Sequence, residues 1–117
     1  MLESNFESIL VERLDDLEEG LTLIKRQYSI PPVGRIDLFC KDKENNLVVI
    51  ELKKFGAKEY SIIDQISRYM GYIKNHVAKE NQKVRGIIVV GNVSDKLKYA
   101  SSIIPNLEVK SFKINIS

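Results

Sequence analysis

Residues 34–54 read GRIDLFCKDKENNLVVIELKK, and the folding of this stretch decides the architecture. Two strand-like runs, RIDLFCK (35–41) and NLVVIELKK (46–54), flank the polar tetrapeptide DKEN, which is a hairpin pattern. Charged residues are depleted from strands and costly to bury unpaired, yet Asp37, Glu51 and Lys53 interrupt these runs. Because strand side chains alternate, Glu51 and Lys53 are expected to share a face with Val49, while Val48, Ile50 and Leu52 take the other. Folding the hairpin about Glu44 sets Asp37 opposite Glu51. Like charges in that relation destabilise a sheet by roughly 0.2–1 kcal/mol. A cation between them reverses the sign; Lys53 can supply part of that charge and a metal ion more. A solvated surface triad without chemistry is the competing account of the same three residues.

Around this hairpin the other elements follow from periodicity. LESNFESILVERLDDLEE (2–19) has the spacing of an amphipathic helix, with Gly20 as its stop. LTLIKRQYSI (21–30) reads as a strand ended by Pro31 and Pro32. In 58–80, Ile62, Ile66, Met70, Ile73 and Val77 recur at steps of three and four, the mark of a second helix. VRGIIVVG (84–91) is a buried strand, SDKLKYASSII (94–104) a short helix capped by Ser94, and LEVKSFKI (107–114) a closing strand. The expected order is α-β-β-β-α-β-α-β: an α/β fold, with a mixed sheet flanked by helices.

Two helices bring further candidates. With Leu10 at zero on a helical wheel, Glu3 falls at about 20°, inside the apolar stripe, and Glu7 near 60°, on its flank. An acid centred on a buried stripe either belongs to a frayed first turn, where it suits the helix dipole, or reaches a site. In the second helix Gln65 and Tyr69 stack four residues apart at the border of the apolar stripe. They are either core-edge packing or a polar pair able to bond a phosphate, a base or a catalytic side chain.

Composition sets the limits. The chain has 117 residues, fitting one domain over 1–117, with 44% hydrophobic and 29% charged residues. A net charge of +2 permits nucleic-acid binding without arguing for it. One cysteine, Cys40, and one histidine, His76, leave no internal disulfide and no Cys/His zinc set. No apolar run approaches the roughly 18 residues of a membrane span, and no leader pattern opens the sequence, so a cytoplasmic protein without membrane association is expected.

Taken together, GRIDL, IELKK and QISRY in this order resemble the PD-(D/E)XK nuclease superfamily, in its RecB-like branch. The resemblance is nearest to the C-terminal nuclease domain of the NucS/EndoMS endonucleases and covers nearly the whole chain. It implies a restriction-endonuclease-like core and a metal-dependent DNA endonuclease, structure-selective rather than sequence-specific. A Holliday-junction resolvase, a restriction-type or RNA-cleaving nuclease, and a non-catalytic nucleic-acid-binding module are the alternatives. By the resemblance, Asp37 and Glu51 are the metal-binding acids, with the Leu52 carbonyl completing the shell around Mg²⁺ or Mn²⁺. Lys53 orients the attacking water or steadies the phosphate, Glu3 is the first-helix glutamate with Glu7 in reserve, and Gln65 and Tyr69 are the helix motif. Arg35, Lys54, Lys58 and Arg68 flank these motifs and are the candidate DNA-binding cations. The sequence departs from the pattern at Gln27, where an acid is expected, and at Ile36, where the superfamily proline would stand. NucS-type enzymes carry an N-terminal DNA-binding and dimerising domain, and these residues begin at the nuclease core. A homodimer or a partner protein supplying DNA contacts is therefore expected.

Overall fold

The computed structural model describes residues 3–54 and 58–114, with side chains from Asn5 onward. The elements run α1 (Glu3–Glu12), α2 (Leu14–Leu17), β1 (Thr22–Ile30), β2 (Gly34–Lys41), β3 (Leu47–Leu52), α3 (Glu59–His76), β4 (Val84–Val90), α4 (Asp95–Ser102) and β5 (Leu107–Ser111). The five strands lie in sequence order in one sheet. β1–β2 and β2–β3 are antiparallel, whereas β3–β4 and β4–β5 are parallel. The expected mixed sheet is thus present, and the change of direction follows from the connections. A tight turn suffices between antiparallel neighbours, while each parallel pair needs a helical crossover, here α3 and α4.

The hairpin forms in the register read from the sequence, with Leu38 opposite Ile50, Phe39 opposite Val49 and Cys40 opposite Val48. Asp42 builds its turn. Its Oδ1 accepts from the backbone N–H of Glu44 at 2.9 Å and of Asn46 at 2.8 Å, and Asn45 takes φ +66°. An aspartate that satisfies its own turn, followed by an asparagine tolerant of positive φ, explains why DKEN closes the hairpin.

The sheet divides two cores. On one face α3 and α4 cover Phe39, Val49, Ile88 and Val90 with Ile62, Ile66, Ile73 and Leu97. On the other, Leu10, Leu14 and Leu17 of α1 and α2 pack with Leu38, Cys40, Val48, Ile50, Ile87 and Val89. Cys40 is fully buried there, and burial pushes its thiol up to about 12.

The expected boundaries change in three places. The first helix is two helices, broken at Arg13, which takes φ −131° and ψ 35°. Its guanidinium bonds Asp16 at 2.8 Å and lies 5.3 Å from the Phe112 ring centroid, while Leu10, Leu14 and Leu17 all stay buried. α3 ends at His76 because the N–H groups of Val77 and Ala78 both bond the Ile73 carbonyl, at 3.0 and 2.8 Å. Val77, expected in the apolar stripe, is the exposed C-cap. β5 stops at Ser111, though Phe112 remains buried and meets Phe6 edge to face at 5.9 Å. Ser94 caps α4 as expected, its Oγ accepting from Leu97 N at 3.1 Å. Among the described residues no helix is long and apolar enough to cross a membrane.

One ion network ties the end of the sheet opposite the parallel strands' C-termini. Arg85 on β4 donates to Glu18 Oε2 and Oε1 at 2.7 and 2.6 Å, to Asp42 Oδ2 at 3.1 Å and to Glu108 Oε1 at 2.8 Å. It joins the α2 terminus, the hairpin turn and β5. The bonds from Arg85 hold Glu18 below its ordinary range and raise the pKa of Arg85 itself.

Candidate active site

Asp37 and Glu51 face each other at the C-terminal end of β3, and each carboxylate is fixed by the other's strand. Glu51 Oε2 accepts from Asp37 N at 2.7 Å, and Asp37 Oδ2 accepts from Leu52 N at 2.9 Å. The regular pairing of β2 with β3 runs only to Leu38 and Ile50, so beyond it side-chain carboxylates bond backbone N–H groups that strand carbonyls would otherwise take. Strand alternation also breaks here. Leu38 and Cys40 face α1, but Ile36 joins Phe39 on the α3 face, so the β2 backbone turns at Asp37.

The electrostatics follow from burial. Glu51 is 3% exposed, and desolvation, reinforced by the Asp37 charge, lifts its carboxyl to about 8. Asp37 is also raised, by desolvation first and then by the Glu7 charge, against the bonds from Leu52 N–H and Gln27. The ammonium of Lys54 lowers both. Two buried acids held together against desolvation, both shifted the same way, mark a candidate functional site.

A third carboxylate stands behind them. Glu7, 6% exposed, receives the Gln27 amide at 2.5 Å and Arg26 Nη2 at 2.7 Å, and the same Gln27 nitrogen lies 3.4 Å from Asp37 Oδ1. Gln27 reaches both acids from a backbone at φ +49°, between the register pairs Arg26–Leu38 and Tyr28–Ile36. The first-helix acid that the structure links to Asp37 is therefore Glu7, the residue held in reserve. The side chain of Glu3, ranked first on the wheel, lies outside the described residues.

A cavity of about 250 Å³ opens on Asp37 and Glu51, lined also by Arg35, Leu52, Lys54, Ser61, Gln65 and Tyr69. Gln65 Nε2 donates to Tyr69 Oη at 2.8 Å and Arg35 N donates to the same oxygen at 3.3 Å, leaving the phenol proton free to donate. The helix motif thus stands in the wall facing the carboxylates. Gly34 makes this possible. Its φ is +148°, and a Cβ there would lie 2.9 Å from Tyr69 Cε1. Gly34→Ala is expected to cost roughly 2 kcal/mol and to displace Tyr69. A chemical-denaturation midpoint lowered with an unchanged m-value checks the first part. Loss of protection of the Arg35 amide in hydrogen exchange checks the second.

The structure separates some of the expected set. Lys53 does not line this cavity. β3 ends at Leu52, Lys53 N bonds Val89 O at 2.9 Å, and its side chain lines a neighbouring cleft with Lys58. Lys54, expected only among the DNA contacts, takes the place beside the two acids, together with Arg35. Arg68 is on α3 and pairs with Asp64 at 3.2 Å on the exposed surface. Alternation from Glu51 sets Lys53 on the α3–α4 side of the sheet, where it is found, but two clefts open on that side and Lys53 stands in the second. Gln27 carries no acidic signal, and only the β1–β2 register would have placed it beside Asp37.

A mixed sheet in sequence order, with helices on both faces and paired carboxylates where β2 and β3 part, defines a domain of the α/β class with an acidic site at one end of its sheet. The chain belongs to the endonuclease NucS C-terminal domain family, whose model matches residues 2–115. Endonuclease NucS of Methanocaldococcus jannaschii is 40% identical over 87 residues, covering 74% of this chain and 32% of the relative. That of Sulfolobus acidocaldarius is 34% identical over 108 residues, covering 92% and 39%. A crystal structure of a repair endonuclease from Pyrococcus abyssi superposes with a TM-score of 0.80 at 27% identity, over 97% of this chain and 47% of that one. An EndoMS–dsDNA complex gives the same TM-score at 23% identity and shares the fold. The chain thus spans about a third to two fifths of the curated relatives' length.

Proposed function

We propose that this chain is the catalytic domain of a divalent-metal-dependent DNA endonuclease acting in repair. The observation that carries the reading is the reciprocal fixing of Asp37 and Glu51 by each other's strands, in a cavity whose other walls carry Arg35, Lys54 and the Gln65–Tyr69 pair. The names of the relatives, endonuclease NucS and repair endonuclease, support it.

The donor set suits Mg²⁺ or Mn²⁺. Among the described residues no three His, Cys, Asp or Glu side chains are grouped to hold a metal. Mg²⁺ is commonly bound by one or two carboxylates while keeping several waters. Asp37, Glu51 and the backbone carbonyl of Leu52, which lines the cavity, are hard oxygen donors of that kind. A bound divalent ion would polarise a phosphoryl oxygen and acidify a water at the site.

The chain's own groups do the rest. Arg35 and Lys54 offset charge on the phosphate, and Tyr69 donates its free proton to a phosphate oxygen or to a carboxylate. Gln27 holds Asp37 against Glu7, keeping the acids apart. Lys53, in the adjoining cleft, acts on the substrate beyond the scissile position. A homodimer or a partner protein supplies the remaining DNA contacts.

Labelled single-stranded, duplex, mismatched and branched DNA incubated with Mg²⁺, Mn²⁺ or chelator tests the reading. Metal-dependent cutting is expected, and Asp37→Asn should reduce it by more than about a hundredfold, beyond the 10–100-fold typical of an outer-shell change. A folded wild-type chain that binds DNA and cuts none of these substrates would leave a non-catalytic module instead.

A further inference from the structure

A second cleft, of about 500 Å³, lies across the N-terminal turns of α3 from the carboxylate cavity, lined by Lys53, Lys58, Glu59, Tyr60, Ile63, Lys96 and Leu97. The two share a wall. Ser61, Ile62 and Gln65 face the carboxylates, Glu59, Tyr60 and Ile63 face the second cleft, and the adjacent residues Lys54 and Lys53 divide between them in the same way.

Its chemistry is cationic and aromatic. Three lysines stand against one carboxylate, and that carboxylate is engaged, since Ser94 Oγ donates to Glu59 Oε1 at 2.5 Å. Tyr60 is 70% exposed, although a ring of its size is normally buried, and the Lys58 ammonium lies 5.9 Å from its centroid. Among the described residues none of these lysines makes a salt bridge, and lysines beside an exposed aromatic ring are elements with which proteins hold unpaired nucleic-acid strands: cations track phosphates and a base stacks on the ring. A paired base has both faces occupied by its neighbours, so the exposed ring favours an unpaired one.

We propose that this cleft binds the strand flanking the scissile bond, Lys58 and Lys96 on its phosphates and Tyr60 against an unpaired base. This rests on the endonuclease reading of the adjacent cavity.

The test is a titration of fluorescent single-stranded and fully paired oligonucleotides into the chain carrying Glu51→Gln, which holds cleavage off, between about 50 and 200 mM salt. Adding Lys58→Ala and Lys96→Ala is expected to reduce the salt slope on single strands by about 1.4, two phosphates at about 0.7 each. Tyr60→Ala should weaken single-strand binding about tenfold and duplex binding far less, while Tyr60→Phe should bind like the parent. Circular dichroism establishes that each variant is folded. An unchanged slope in the double lysine variant, or equal loss on single and paired strands with Tyr60→Ala, overturns the proposal. Cutting by the otherwise unaltered chain is read separately. If it persists while the slope is unchanged, only the cleft falls; if it is absent while the predicted losses appear, the cleft stands and the endonuclease reading falls.

Discussion

Glu51→Gln is expected to abolish metal-dependent cleavage and, in chelator-treated protein above pH 8, to raise the melting temperature. The amide preserves shape and can still accept from Asp37 N, but it removes a charge held at 3% exposure. Burial raises the Glu51 carboxyl from 4.5 to about 8, so its folded-state protonation stabilises the chain fully below about 4.5 and is lost as the pH rises through about 8. That displacement corresponds to an upper limit on the order of 5 kcal/mol. Allowing for the desolvation of glutamine itself, a gain of about 2 kcal/mol, or roughly 5–10 °C, is expected above pH 8, with little difference near pH 5. Mg²⁺ or Mn²⁺ should in turn stabilise the wild type more than the variant. Thermal melts at two pH values, with and without metal, measure all of this. Equal melting temperatures at both would show that Glu51 carries no burial strain.

Arg85→Ala should lower the stability of the chain substantially without touching the cavity. The side chain is 18% exposed, and its removal leaves Asp42, 7% exposed, without its cation and Glu18, 22% exposed, with only Lys110 Nζ at 3.4 Å. Breaking a well-buried pair costs about 3–5 kcal/mol; with this partial exposure about 2–3 kcal/mol is expected, near 10 °C in melting temperature. The folded pKa values of Glu18 and Asp42 are depressed, so their contribution is present above about 4.5 and fades as pH falls through the lowered values. The gap between wild type and Arg85→Ala should therefore narrow on acidification below pH 4. Denaturant titrations at pH 7 and pH 3.5 check it, and a gap unchanged by pH would assign the loss to packing alone.

The legible parts of the sequence were those in which local pattern and tertiary contact agree. Reflection about Glu44 yields the hairpin register because Asp42 and Asn45 supply the turn's own bonds and its positive φ locally, with Arg85 and Gln82 adding contacts to the formed turn. The same reflection brings Asp37 to Glu51. The wheel correctly buries Leu10, Leu14 and Leu17, but it ranks acids by angle alone. What engages Glu7 is Gln27 and Arg26 on another element, reached through a positive φ and a strand register that no spacing in the first helix reveals. Alternation does set Lys53 on the α3–α4 side with Glu51, and Leu52 on the other, but it cannot tell which of the two clefts on that side the lysine enters. Local rules gave out at the site itself, where carboxylates replace strand carbonyls as acceptors.

The buried thiol on β2 has a use of its own. Cys40 is the only cysteine in the chain, has no exposed surface, and sits on a strand paired on both sides. With its pKa near 12, almost none of it is thiolate at neutral pH, so it cannot be alkylated while the sheet is closed. Every modification event must follow an opening of the central sheet. The chain thus carries an internal clock: the rate of labelling, compared with that of the unfolded chain, reads the free energy of opening in native buffer.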